Sequence, residues 1–166
     1  MITSSKVILF HTLKYLFNKS LDRKYRYVYE RLNTLNESQI AINITEDNDS
    51  GHYRSLNTGD KLNRNAYVKL DCIGAGSSAD DICNLELDLD VIRDLVNGSF
   101  NYICYVEEIS SKEVIISEEE TDNTTCKIVI VVGDTITAGV SLGPTLEKEL
   151  PRRTMNMQVI YNVIRR

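Results

Sequence analysis

Arg153-Thr-Met-Asn-Met-Gln-Val-Ile-Tyr-Asn-Val-Ile164 changes character from one residue to the next. In an extended chain Met155, Met157, Val159, Tyr161 and Val163 share one face, while Asn156, Gln158 and Asn162 share the other. A period of two marks a strand with one buried side and one side that is wet or meets a partner. The fold must therefore contain a sheet, and this long terminal strand belongs to it.

Other stretches carry the same period. Ser38-Gln-Ile-Ala-Ile-Asn-Ile-Thr45 puts Ile40, Ile42 and Ile44 on one face. Ala66-Tyr-Val-Lys-Leu-Asp-Cys-Ile73 reads as another strand. Phe100 to Val106 and Glu113 to Ser117 flank Ser110-Ser111-Lys112 and make a hairpin. Thr125-Cys-Lys-Ile-Val-Ile-Val-Val132 is the most apolar run, which predicts the central strand. Residues 135–150 read as looser chain, broken by Gly139, Gly143 and Pro144.

Helical spacing is confined to two places. Ser4 or Ser5 can cap a helix starting near Lys6, with Leu9, Phe10, Leu13, Leu16 and Phe17 as its apolar face and an end near residues 18–20. Residues 24–31 fit a strand or a continued helix, and the spacing of Tyr25, Val28 and Leu32 favours helix. Leu85, Leu87 and Leu89 alternate with acids, which predicts a short strand leading into a helix over residues 90–95, with Asp88 or Asp90 as cap and Gly98 as stop. The sum is one α+β domain over residues 1–166. An N-terminal amphipathic helix and a short second helix pack on an antiparallel or mixed sheet. A long polar loop spans about residues 46–65.

Composition narrows the function. The chain has 166 residues and a net charge of −5, against a general nucleic-acid binder, which needs a basic stripe. No apolar run approaches the roughly 20 residues that span a bilayer. The apolar stretch from Val7 to Phe10 is too short for a secretory core, so synthesis in the cytoplasm is expected. Cys72, Cys83, Cys104 and Cys126 lack the close pairs of a zinc or redox motif and read as reduced, mostly buried thiols. Six Asn-x-Ser/Thr sequons, at Asn18, Asn36, Asn43, Asn48, Asn97 and Asn123, carry no further meaning in so Asn-rich a chain.

The chemical candidates are few. Gly74-Ala-Gly76-Ser-Ser-Ala79 follows a strand and matches G-x-G-x-x-A, a pattern that cradles a pyrophosphate at a helix N-terminus. No apolar helix is read over residues 77–84, and Asp80-Asp81 would repel phosphate, so a Gly/Ser turn is expected. Glu46-Asp-Asn-Asp-Ser-Gly-His52 has the oxygens of a calcium loop but Asn57 at its twelfth place, and reads as a solvated loop. His11 and His52 have no triad companions. Glu107-Glu108 and Glu118 to Glu120 read as charged turns, and Arg152-Arg153 and Arg165-Arg166 as solubilising ends or contacts to phosphate or a neighbour. No catalytic, cofactor-binding or metal residue is expected, and no enzyme. The alternative is a small nucleotide- or ligand-binding enzyme using the Gly74–Asp81 turn.

One resemblance covers the whole chain. The amphipathic helix at Ser5 to Asn18, the tyrosine-bearing strand Asn65-Ala-Tyr-Val-Lys-Leu and the closing strand after Gly143-Pro-Thr-Leu-Glu-Lys-Glu-Leu-Pro-Arg-Arg resemble the tail terminator and neck proteins of tailed bacteriophages. The long loop at 46–65 and the hairpin at 107–125 depart from that pattern. The resemblance implies a structural virion protein: a homo-oligomeric ring of six or twelve copies in the head-to-tail connector. It would contact portal, adaptor or tail proteins and pass DNA non-specifically through its lumen. No membrane is involved.

Overall fold

The computed structural model describes residues 3–30, 37–46, 64–76, 78–97, 101–137, 141–145 and 148–166, with backbone alone at 97, 101, 131–137, 141–145 and 148–150. In chain order its elements are α1 (Ser5–Ser20), β1 (Arg26–Tyr29), β2 (Gln39–Glu46), β3 (Arg64–Ile73), α2 (Ala79–Asn97), β4 (Asn101–Glu108), β5 (Val114–Ser117), β6 (Cys126–Thr137), β7 (Ser141–Thr145) and β8 (Lys148–Arg165). The architecture is α+β, with one mixed sheet and two helices.

Seven strands form the path β1-β2-β3-β8-β6-β4-β5, and β7 pairs with the early part of β8. Only β1 and β2 are parallel; every other pair is antiparallel. The middle of the sheet is therefore β8, and the predicted central strand, β6, lies beside it. Periodicity reveals how a strand is buried, and both are well buried; it does not reveal strand order. The expected strand faces hold: Ile40, Ile42 and Ile44 are buried, as are Met155, Met157, Val159 and Tyr161.

Helix α1 runs where its apolar spacing places it and buries Ile8, Leu9, Leu13, Leu16 and Phe17. Each such side chain stabilises the fold by about 1.5–3 kcal/mol. Leu21 is already extended, which ends the helix and turns residues 26–29 into β1, correcting the expected helical continuation. Its backbone is satisfied by the sheet instead: the Arg26 N–H donates to Ser38 O at 2.9 Å.

Helix α2 departs furthest from expectation. It is not short, with 19 residues against 16 in α1, and residues 85–89 lie within it instead of forming a strand that leads into it. Leu85, Leu89, Ile92 and Val96 are buried at helical spacing, and Leu87 faces outward at 52% exposure. Alternation does not survive in a helix: Leu87 turns to solvent, and Asp88 is buried beside the stripe, where Arg23 and Tyr25 hold its carboxylate. The loose region is also more ordered than read. β6 extends to Thr137, and β7 runs against residues 148–152. β3 ends opposite Arg152, so β7 and the start of β8 continue past it as a two-stranded arm. The expected loop at 46–65 lies outside the described residues except at its ends, where Glu46 closes β2 and Arg64 opens β3.

Both helices share one apolar cluster with the inner face of the sheet. Helix α1 touches both β2 and β5. A flat sheet would hold these two strands about 24 Å apart, so the sheet curls around α1. A register shift in β6 between Val132 and Thr135 adds curvature.

Candidate functional site

Among the described residues neither helix covers the outer face of the sheet. Cross-strand register divides that face into two halves. On β2, β3 and β8, Asn43, Lys69 and Asn156 form one row, and Thr45, Tyr67 and Gln158 the next. They line a shallow concavity of about 470 Å³ that includes no residue of Gly74–Asp81. Tyr67 is 54% exposed within it.

The other half carries more apolar side chains, with Glu107, Lys127 and Asn162 set among them. On β4, β6 and β8, Ile103 pairs with Val129 and Tyr105 with Lys127, which pairs in turn with Ile164. Ile103 and, on β5, Ile115 are half exposed, and Ile164 is more than one-third exposed. These residues were overlooked in the sequence, yet a signal was present. Tyr102, Cys104 and Val106 already supply an inward face, so Ile103 and Tyr105 make β4 apolar on both sides. A strand of that kind is covered on both sides.

The Gly74 turn does precede a helix, contrary to the sequence reading. Its helix start is already occupied, however. Asp81 Oδ2 accepts from the Ser78 N–H at 3.1 Å and hydroxyl at 2.7 Å, while the Asp81 N–H donates to Ser78 Oγ at 3.2 Å. This reciprocal cap places a carboxylate where a phosphate would sit. A Cβ at Gly76 would lie 2.2 Å from that carboxylate oxygen. The strands before and after α2 are antiparallel by their order in the sheet, so no βαβ unit forms. Gly74 has a packing role: its N–H donates to Pro151 O at 3.0 Å, and a Cβ there would press on the Pro151 ring.

The charged candidates are absorbed by ties within the chain. Arg152 pairs with Asp71, Arg165 with Glu108 and Arg166 with Glu120, while Arg153 reaches Glu86 O at 3.0 Å and Asp90 at 3.3 Å. Glu118 holds Lys19 at 2.6 Å. Burial raises the Glu108 carboxyl, but bonds from Thr3, Arg165 and Thr125 outweigh it and hold the group down to about 2. Glu46 accepts from Tyr161 OH and pairs with Arg64. Tyr25 OH donates to Asp88 at 2.5 Å; burial first, then this bond, pushes the phenol up. His11 Nε2 donates to Lys112 O at 3.1 Å, and burial lowers its basicity. The acidic stretch after Glu46, with His52, lies outside the described residues. Among the described residues no three His, Cys, Asp or Glu side chains converge as a metal site. The four cysteines are unpaired, three of them buried and Cys83 exposed.

No protein-family model matches the chain, and no curated protein is significantly similar to it.

Proposed function

We propose that the chain is a structural subunit of an oligomeric ring in the neck of a tailed bacteriophage. The observation that carries the reading is the outer sheet face: Ile103, Ile115 and Ile164 are exposed on a surface that neither helix covers. Exposed apolar side chains gathered on one face mark a contact surface. The outermost strands of the path, β1 and β5, have four residues each, a length that discourages edge pairing. The face, and not the edge, joins the subunits.

Two further features support the virion reading. The amphipathic helix under a curled sheet and the projecting β7–β8 arm suit a subunit that packs side by side and reaches towards a neighbour. Asp81 lies in the turn the nucleotide-enzyme alternative would use, and its carboxylate supports the structural reading over that one.

Light scattering on the size-exclusion peak, with negative-stain imaging, tests the proposal. A closed ring of six or twelve copies is expected. A monomer at every concentration, alone and with portal or tail proteins added, overturns it.

A further inference from the structure

We propose that the outer face of one copy is covered by α2 of the next, an inference that rests on the ring reading and names the surface that completes it. Asp80, Cys83, Leu87, Val91 and Asp94 follow one another at steps of three and four residues along the solvent side of α2. Leu87 and Val91, the apolar pair at its centre, are 52% and 42% exposed. The core needs neither, because Leu85, Leu89, Ile92 and Val96 form the inward stripe. Six carboxylates and a single arginine lie along this helix. That balance equals the net charge of the whole chain, so the remaining residues are neutral in sum.

The more apolar half of the outer face has the complementary character. Ile103, Val129 and Ile164 surround Lys127 in the strand register. Lys127 has no ion-pair partner among the described residues, and neither does Lys69 further along the same face. An apolar pair rimmed by carboxylates thus faces an apolar patch centred on an ammonium group. Helix α2 packs on the inner side of β6 and β8, and the patch lies on their outer side. The two surfaces point away from each other, so the contact runs head to tail, as a ring requires. A helix laid over a sheet repeats the packing already used on the inner face. In this arrangement Asp94 of one copy stands against Lys127 of the next.

Leu87→Asp and Ile103→Asp test the contact in the full chain. Each alters a position exposed in the single subunit, so the circular dichroism spectrum should stay at wild type while light scattering reports loss of the ring. The two variants mixed should form a dimer and no larger species, because each retains the surface the other has lost. The mixed pair should bind at least about tenfold tighter than either variant binds itself. A ring that survives both substitutions overturns the helix-on-sheet contact and leaves the ring reading standing. A mixture that does not associate also overturns the head-to-tail geometry. A monomeric wild-type chain overturns the ring reading, and this contact with it.

Discussion

The backbone N–H of Thr3 donates to the Glu108 carboxylate at 2.8 Å, tying the segment before α1 to the end of β4 across 105 positions of sequence. Arg165 completes the clamp, reaching Glu108 with one guanidinium nitrogen and Thr3 O with the other at 2.9 Å. Three distant parts of the chain therefore meet on one carboxylate. The group ordinarily titrates at 4.5 and is held at about 2 in the fold. Its depressed value means that its stabilisation is present above about pH 4.5 and fades as pH falls towards 2. Glu108→Gln should cost about 1–3 kcal/mol at pH 7, a fall of several degrees in Tm. Melting curves at pH 7 and pH 2.5 check this; an equal gap at both would show that the charge is irrelevant.

Gly76 and Asp81 should behave as one unit. Gly76→Ala drives a methyl group into the Asp81 carboxylate and disrupts the helix cap, and Asp81→Ala removes that cap directly. Each should cost about 0.5–2 kcal/mol. The double variant should cost no more than Asp81→Ala alone, because the clash and the cap disappear together. Urea midpoints of the four proteins measure the coupling, and simple additivity would refute it.

Leu89 and Leu87 distinguish a helix from a strand over the same residues. In a strand, Leu85, Leu87 and Leu89 would share a face and lose similar stability on truncation. In the helix, Leu89→Ala opens a buried site and should cost about 2–5 kcal/mol. Leu87→Ala, exposed in the single subunit, should stay within about 0.5 kcal/mol when unfolding is measured on the dissociated subunit. Comparable losses for both would contradict the helical register.

Thiol chemistry provides a fourth check. Burial pushes the Cys104 thiol up to about 11 and raises Cys72 and Cys126 as well. Only Cys83 is exposed. A disulfide reagent at pH 8 should titrate one thiol quickly in the dissociated, folded subunit and all four in denaturant. Rapid reaction of a second thiol would mean that one of the three enclosed cysteines is open to water.

Much of the fold was legible because burial writes a period into the sequence. Met155, Met157, Val159 and Tyr161 announced the long strand, and Leu9, Leu13 and Phe17 announced α1. The second helix was misread because three leucines at alternate positions fit a strand as well as a helix over so short a window. Only Ile92 and Val96 extend the helical spacing far enough to decide it. The tyrosine stretch went the other way: Tyr25, Val28 and Leu32 fit a helix, Tyr25, Tyr27 and Tyr29 fit a strand, and a tertiary partner, β2, settled the matter. Strand order was hidden because pairing between distant segments leaves no local mark. The candidate surface was hidden for the opposite reason: Ile103 and Ile164 look like ordinary core residues until the helices are seen to occupy only one side of the sheet.

β8 stands between two half-sheets, β1-β2-β3 and β6-β4-β5, and these meet nowhere else along the path. It is also the last of the eight strands to leave the ribosome. During translation the halves are thus held apart, each with an unpaired border and an unsealed interior, until the joining strand emerges. Contacts so remote in sequence form slowly. Closure of the interior therefore waits on β8, and the two open half-sheets are the aggregation-exposed species on the way to the folded subunit.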